Sequence, residues 1–143
     1  MAQVRDRPYP ATGFTVDIGV ELACSEVELP ELQEVIVEYR AGDDKAGVRL
    51  LPVQPRLGEL VLRRGFDGDL ALYSWWRAVA DGTPDVRNVV ITILDESRTE
   101  VARVMLRGAL PSAYRLGPLN ADATAGGALM ESLASRVVDV AIE

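Results

Sequence analysis

The amino-acid sequence predicts a mainly β protein, an antiparallel sandwich or barrel with one short flanking α-helix at about residues 70–80. Six or more short segments alternate apolar residues with polar or small ones, which is typical of half-buried strands. One segment near the middle combines helical spacing of apolar residues with clear stop signals. The chain has 143 residues, of which 48% are apolar, so we expect a single domain over residues 1–143.

The N-terminal part predicts an arm followed by a strand. Residues 1–12 hold two prolines and mixed charges, which favours a flexible arm with little structure of its own. Residues 14–20 alternate regularly and predict a half-buried strand. Residues 21–31 contain four glutamates and a proline, so we expect a loop or an irregular edge there.

Two further strands flank a long polar section. Leu32 to Arg40 predicts one strand and Leu57 to Arg64 predicts the other. Between them, residues 41–56 begin with an acidic turn and carry Pro52 and Pro55, so this section cannot be a central strand. We expect a long loop, and a long loop in so small a domain usually has a function.

The single predicted helix runs from Leu70 to Ala80. Asp69 is placed to cap it, and Gly82 and Pro84 stop it. One side of the helix carries Leu72, Trp75, Trp76 and Val79. Two adjacent tryptophans on a short helix favour a role in the core or at an interface over ligand stacking, because no charged pocket motif accompanies them.

The C-terminal half begins with the clearest hairpin, Asn88 to Leu94 paired with Thr99 to Leu106. Both faces of its first strand are largely apolar, which indicates burial on both sides or a subunit contact. Ala109 to Leu116 predicts another short strand. Residues 123–136 have helical composition, although Gly126-Gly127 interrupts them, and residues 137–142 favour a strand.

Composition excludes most catalytic chemistry. The sequence has no histidine, which removes Ser–His and Cys–His nucleophilic pairs and nearly all zinc sites. Cys24 is the only cysteine, so no internal disulfide forms, and its acidic neighbours predict a raised pKa and a poor nucleophile. Asp67 begins a segment like a calcium loop, but Leu72 and Ala78 stand where that loop needs Gly and Glu. We expect no catalytic residue, metal or cofactor.

The formal net charge of −7 predicts a protein that repels bare nucleic acid. The arginines are dispersed, and their one adjacent pair, Arg63-Arg64, is interpreted as part of a solvated face. No apolar run is long enough to span a bilayer, and the N-terminus lacks the apolar core of a signal peptide. We therefore expect a cytoplasmic protein with no membrane insertion.

Six segments, taken in order, resemble the tail-tube protein family of contractile phage tails and contractile injection systems, which is related in fold to the type VI secretion tube protein. These segments are Pro8 to Gly19, VIVEYRAGDD from Val35 to Asp44, Arg49 to Gly65, LYSWW from Leu72 to Trp76, Asn88 to Leu106, and Gly117 to Glu143. Together they cover nearly the whole chain. The chain departs from the family pattern at residues 23–29 and 134–137, which leaves open the main tube subunit or a specialised paralogue.

The resemblance implies a subunit that forms hexameric rings, which stack into a hollow inner tube within a sheath. It implies a strand for residues 127–142 and a loop at 41–56 that reaches a neighbouring ring. The implied partners are further copies of the chain, a sheath protein, and baseplate, spike and tube-terminating proteins, with assembly in the cytoplasm into a phage tail or injection particle. Our candidate subunit-interface residues are Tyr39, Arg40, Asp43, Asp44, Arg49, Leu51, Arg63, Trp75 and Trp76.

Two other functions remain open at this point. The chain resembles a tube protein closely enough to be a baseplate or tip paralogue that initiates the tube. From the residues alone, an adaptor that holds a partner by a strand edge is a further alternative.

Overall fold

The computed structural model describes residues 4–40, 42, 47–122, 124 and 126–143. In this part of the chain the strands are β1 (Phe14–Asp17), β2 (Glu21–Leu22), β3 (Glu26–Glu28), β4 (Leu32–Tyr39), β5 (Arg49–Leu57), β6 (Leu60–Gly65), β7 (Arg87–Leu94), β8 (Glu100–Leu116), β9 (Met130–Arg136) and β10 (Asp139–Ile142). The helix α1 spans Ala71–Ala80. The mainly β fold with one short helix is therefore confirmed.

Eight strands form one antiparallel sheet that curls without closing. Its order is β2-β1-β7-β8-β9-β6-β3, and β10 pairs with β8 off this path. The 17-residue β8 joins the two halves, because its first half pairs with β7 and β10 and its second half pairs with β9. The strands β4 and β5 form a separate two-stranded hairpin.

The core lies inside the curled sheet and under the helix. Its fully buried side chains include Trp75, Leu72, Ile18, Leu60, Leu62, Leu106 and Leu133. Leu72 and Trp75 bring one side of α1 into this cluster, and Trp76 and Val79 pack against its margin. The helix ends as predicted, since Gly82 adopts φ +96° just after its end. Its start differs from the prediction, because the N-cap residue is Leu70, which makes no side-chain cap hydrogen bond. The Asp69 carboxylate lies one residue earlier and accepts the Ala71 backbone N–H at 3.0 Å.

The strand predicted over residues 14–20 is shorter than expected. The chain bends after Asp17, and Asp17 accepts the Gly19 N–H at 2.7 Å, so β1 folds back onto the two-residue β2. The predicted irregular edge at 21–31 consists of the short strands β2 and β3.

The long loop predicted over residues 41–56 is wrong for its second half, because Arg49–Leu57 is a strand. Pro52 and Pro55 are tolerated there because, among the described strands, β5 pairs only with β4, so the strand does not need every N–H group. The strand predicted from Leu57 to Arg64 is divided in the structure, because Leu57 ends β5 and the next strand, β6, begins at Leu60. Residues 41 and 43–46, which include the candidates Asp43 and Asp44, lie outside the described residues.

The two strands predicted at 99–106 and 109–116 are one continuous strand. Gly108, with φ +66°, marks a register shift within it, and a Cβ at that position would lie 2.7 Å from Cγ2 of Val138. The Asn88 side-chain oxygen accepts the Gly108 N–H at 3.2 Å. A glycine is required here because no other residue combines this backbone conformation with so close a neighbour.

The C-terminal segment is strand rather than helix, as the family resemblance implied, and the helical propensity is overridden. The single strand expected over residues 127–142 is divided into β9 and β10, which are separated at residues 137–138. Glu131, Leu133 and Ser135 are buried while the residues between them are only partly buried. This alternation of burial is typical of a strand, and β9 pairs with β6 on one side and with β8 on the other.

The N-terminal residues 4–12 form no strand or helix, but they contact the turn between β7 and β8. The Arg5 guanidinium donates to both carboxylate oxygens of Glu96, at 2.6 and 2.7 Å, and lies 3.9 Å from the centre of the Tyr9 ring. This pairing lowers the pKa of Glu96 to about 2. In the described part of the chain, no helix has the length and apolar character needed to cross a membrane.

Candidate assembly surfaces

The hairpin of β4 and β5 is the most exposed regular structure in the protein. Its strands pair only with each other among the described strands, and nearly all of their residues are exposed. Seven apolar side chains are between 42% and 68% exposed, namely Leu32, Ile36, Val37, Tyr39, Leu50, Leu51 and Val53. A two-stranded hairpin is only marginally stable in water by itself, and exposed apolar patches of this kind are typical of contact surfaces.

Three of the sequence candidates share one face of this hairpin. Tyr39 pairs with Arg49, and Val37 pairs with Leu51, so the side chains of all four lie on the same side. Arg40 follows directly at the exposed end of β4. The structure therefore brings Tyr39, Arg49 and Leu51 together, and Arg40 is the residue that follows β4 in the sequence.

Free strand edges form a second candidate surface. Within the described residues, β3 pairs only with β6, β10 pairs only with β8, and β2 pairs only with β1. Residues 110–116 of β8 pair only with β9. Such edges present unpaired N–H and C=O groups, which another chain can complete.

The candidate Arg63 lies on the outer face of β6, opposite β3. Its guanidinium pairs with the carboxylate of Glu26 and lies 3.4 Å from that of Glu28. All three side chains are substantially exposed, so this cluster contributes little to stability. Arg63 fits the predicted solvated face, and it stays a candidate contact residue.

Arg64 contradicts the interpretation of Arg63-Arg64 as a solvated pair, because it is buried. Its Nε donates to Glu131 at 2.5 Å, and its terminal nitrogens donate to the backbone oxygen of Asp69 at 2.8 Å and to the Asp69 carboxylate at 3.3 Å. Tyr114 donates to the other oxygen of Glu131 at 2.5 Å. The network ties β6, β8, β9 and the start of α1 together.

Burial and the contacts between the charged groups together set the pKa values in this network. Burial lowers the pKa of Arg64, but the carboxylates of Glu131 and Asp69 more than offset this and leave it raised. Burial, with the hydrogen bond to Glu131, raises the pKa of Tyr114 to about 12. Both groups therefore hold their protons at neutral pH, so the network is a fixed structural device with no group poised for proton transfer.

Strand alternation in the sequence points to only part of this network. Arg64 shares its side of β6 with Leu60 and Leu62, which are fully buried. Its partner Glu131 lies 67 positions away in a segment of helical composition. No local pattern in the sequence identifies that pairing.

Trp75 and Trp76 lie in different environments. Trp75 is completely buried, its indole N–H donates to the Asp85 backbone oxygen at 2.8 Å, and the Arg87 guanidinium lies 4.8 Å from its ring centre. Its side chain has no surface to offer a partner in this conformation. Trp76 is partly buried at the margin of the core and keeps some exposed surface.

A cavity of about 620 Å³ lies between β1, β3, β7 and β8. Its lining is mostly apolar, with Phe14, Val27, Ile91 and Ile93 among the residues that form it. The carboxylate it includes, that of Glu26, already pairs with Arg63. This arrangement lacks the convergent acid, base and nucleophile that catalysis requires.

The other candidate reactive groups have equally simple surroundings. Burial raises the pKa of the Cys24 thiol to about 11; Arg64 opposes this effect, and Glu131 adds to it. The sequence therefore predicted the direction of this shift but not its main cause. Within the described residues, no three His, Cys, Asp or Glu side chains are arranged to hold a metal ion.

Comparison with protein-family models identifies the fold's relatives. The model of the T4-like virus tail tube protein gp19 matches residues 10–134. The chain belongs to this family. The resemblance inferred from the sequence is thus confirmed, and the protein is a structural component of a contractile tail or phage tail-like particle. A comparison with curated protein sequences gives no match.

Solved structures show the same fold at low sequence identity. A chain from the cap of the anti-feeding prophage has a TM-score of 0.84 at 20% identity, with 100% of this chain and 95% of that chain covered. A chain from the sheath-tube complex of the PVC extracellular contractile injection system has a TM-score of 0.84 at 17% identity, with coverages of 95% and 91%. Hcp1 from Salmonella typhimurium has a TM-score of 0.61 at 9% identity, with coverages of 91% and 84%.

Proposed function

We propose that this chain is the inner-tube protomer of a contractile injection system or phage tail. Copies close into six-membered rings, and the rings stack into a hollow tube inside a sheath. The observation that carries this proposal is the unpartnered hairpin of β4 and β5, which exposes seven large apolar side chains on a chain that belongs to a tail-tube family. The free edges of β3, β10 and β8 support it, because sheet continuation between copies would complete them.

In this proposal the hairpin reaches a neighbouring ring, and the strand edges close each ring. The contact residues that we propose are Tyr39, Arg40, Arg49, Leu51, Arg63 and Trp76, together with Asp43 and Asp44. We no longer propose Trp75, because it is fully buried. We also propose that residues 1–143 act as one domain, and that residues 4–12 of the arm move when the Arg5–Glu96 pair opens. Residues 1–3, which the predicted arm includes, lie outside the described residues.

The remaining partners that we propose are a sheath protein around the tube and the baseplate, spike and terminating proteins at its ends. The net charge of −7 suits contact with a basic sheath lining. The protein transmits force and lines a conduit, and it is not an enzyme. It assembles from the cytoplasm, needs no cofactor, and neither inserts into membranes nor recognises a nucleic-acid sequence.

A second candidate function is that of a specialised paralogue at the base or the end of the tube. Chains described in the anti-feeding prophage baseplate and cap match this chain at TM-scores of 0.82 and 0.84, as well as the sheath-tube chain does. A paralogue of this kind would form one ring and stop. The main subunit would continue to stack.

Sedimentation velocity over a concentration series tests the proposal. The tube protomer gives ring-sized particles followed by a broad distribution of longer ones, whereas a paralogue stops at a single ring. A protein that remains monomeric at every concentration contradicts both functions.

Removal of the hairpin separates ring closure from stacking. The Gly58 N–H donates to the Glu31 backbone oxygen at 3.0 Å, so the two ends of the hairpin already meet. A variant that joins residues 31 and 58 through an Asn-Gly turn should therefore fold. We expect it to form rings that do not elongate, and elongation at the wild-type level would show that the hairpin does not link rings.

A further inference from the structure

A row of apolar side chains forms part of the wall of the cavity between β1, β3, β7 and β8. Phe14 of β1 pairs with Ile93 of β7, and Ile93 pairs with Ala102 of β8. Directly paired residues share one face of a sheet, so these three side chains lie side by side. Val27 of β3, at the far edge of the same sheet, also lines the cavity. Ala102 has the smallest side chain of the row, so a longer side chain there would fill part of the space.

The cavity has the size of a small-molecule site. Its volume of about 620 Å³ lies within the range of about 300–1,000 Å³ that is typical of pockets for small ligands. The surface inside the cavity is far smaller than the ~800 Å² that each partner contributes to a standard protein interface. The cavity therefore suits a small molecule better than a protein partner.

The chemistry of the lining favours an uncharged ligand that is mainly apolar. Among the described residues that line the cavity, Glu26 alone has a charged side chain, and its carboxylate pairs with Arg63. This carboxylate would repel an anion, and a cation would have to compete with Arg63 for it. Most of the contact area in the cavity is apolar, so burial of hydrocarbon surface would supply the binding free energy.

The N-terminal arm forms one side of the cavity. Residues 9–11 of the arm line it. Arg5 holds the arm in place, because its guanidinium pairs with the Glu96 carboxylate and lies against the ring of Tyr9. Ion pairs that are this exposed contribute little stability, so the arm can open and close over the cavity.

We propose that this cavity is a binding site for an uncharged, mainly hydrocarbon small molecule, and that the N-terminal arm is the movable wall past which the molecule enters. Each chain contains the whole site, so the site does not depend on assembly into a tube. A structural subunit with this site would also carry a small apolar molecule.

Binding of the uncharged fluorescent probe N-phenylnaphthylamine to the full-length chain, at a concentration too low for assembly, tests the proposal. We expect saturable binding of one probe per chain. The anionic probe anilinonaphthalene sulfonate should bind more weakly, because the Glu26 carboxylate and the net charge of −7 oppose an anion. Absence of saturable binding, or tighter binding of the anionic probe, would overturn the proposal.

Two variants that fill the cavity locate the bound probe. Ala102→Leu should weaken binding at least tenfold, because the added side chain occupies the space that the probe needs. Ala113→Leu is the matched control and should bind like the wild type, because Ala113 is exposed on the same strand and does not line the cavity. Val27→Phe fills the cavity from β3 and provides the same test if thermal unfolding shows that Ala102→Leu does not fold. Wild-type affinity in a folded cavity-filling variant would place the probe elsewhere and overturn the proposal.

Arg5→Gln tests the role of the arm. This change removes the charge that pairs with Glu96, so stopped-flow measurements should show the probe entering and leaving several-fold faster than in the wild type. Arg115→Gln is the control, because Arg115 is exposed near the end of β8 and does not line the cavity. Unchanged rates in Arg5→Gln would show that the arm is not the movable wall.

The same titration at rising protein concentration separates a ligand site from a contact between copies. We expect the assembled protein to retain the probe. If assembly displaces the probe, the cavity belongs to a contact between copies and the proposal is overturned. A wild-type protein that binds the probe but never assembles contradicts the proposed function and leaves this inference standing.

Discussion

Replacement of Glu131 by alanine should destabilise this fold more than loss of any surface carboxylate. The side chain of Glu131 is completely buried, and it accepts hydrogen bonds from Arg64 and Tyr114, each at 2.5 Å. Removing it leaves the guanidinium of Arg64, whose side chain is 6% exposed, without its buried partner. Breaking a buried ion pair in this way costs about 3–5 kcal/mol.

That cost is large on the scale of the whole fold, because single domains are stable by only about 5–15 kcal/mol. With a urea dependence of about 2 kcal/mol per molar, the midpoint of unfolding should fall by about 2 M. Urea titrations followed by tryptophan fluorescence measure this shift, at concentrations below assembly. Glu28→Ala is the control, because its exposed carboxylate pairs with exposed Arg63, and that loss should cost under about 1 kcal/mol.

A combined variant identifies the reason for the loss. Arg64→Met, Glu131→Leu and Tyr114→Phe together remove the buried charges and the hydroxyl of the cluster while keeping similar volumes, and they leave only the half-exposed carboxylate of Asp69. We expect this variant to be more stable than Glu131→Ala, because no unpaired charge stays buried. A Glu131→Ala protein within about 1 kcal/mol of the wild type would refute the account of a buried, strongly coupled network.

Three further predictions concern single groups. Tyrosine ionisation, followed by ultraviolet absorbance, should show a late step near pH 12 that Tyr114→Phe removes, because the pKa of Tyr114 is raised to about 12. The hydrogen bond from Tyr114 to Glu131 stabilises the fold fully below pH 10 and is lost as the pH rises through about 12. A single ionisation step near pH 10 would contradict this prediction. The Glu96 carboxylate should titrate near pH 2 when followed by NMR, so its contact with Arg5 is fully present above pH 4.5 and is lost as the pH falls through about 2. The variant Arg5→Gln should return the pKa of Glu96 toward 4.5, and an unchanged pKa would contradict the pairing. Gly108→Ala should lower the free energy of unfolding by about 1–3 kcal/mol, measured by thermal or urea unfolding. The new Cβ would lie 2.7 Å from Cγ2 of Val138, and the backbone there has the left-handed φ of +66°. An unchanged stability would show that the strand can shift to make room for the methyl group.

Local patterns were sufficient for most of the secondary structure. The alternation in residues 88–94 and 99–106 located the strands β7 and β8, and the helix signals located α1 within one residue. These signals work because each depends on near neighbours in the chain. The strand β5 was missed because its two prolines exclude a central strand, whereas a strand in a two-stranded hairpin tolerates them.

Contacts between residues that are distant in the sequence could not be predicted from local patterns. The composition of residues 123–136 favours a helix, but β9 lies between β6 and β8, and those neighbours impose a strand. Arg64 was taken as exposed because its partner Glu131 is distant in sequence. The hairpin candidates Tyr39, Arg49 and Leu51 were named individually, and only the register shows that they share one face.

We propose that copies of the chain assemble through the exposed hairpin and the free strand edges into rings that stack. Electron cryo-microscopy of the purified full-length protein at high concentration tests it most directly. We predict particles with sixfold rotational symmetry about a central hole, in which the hairpin of each copy contacts another copy. Isolated monomers, or a closed dimer without a hole and with the hairpin still exposed to solvent, would contradict the claim.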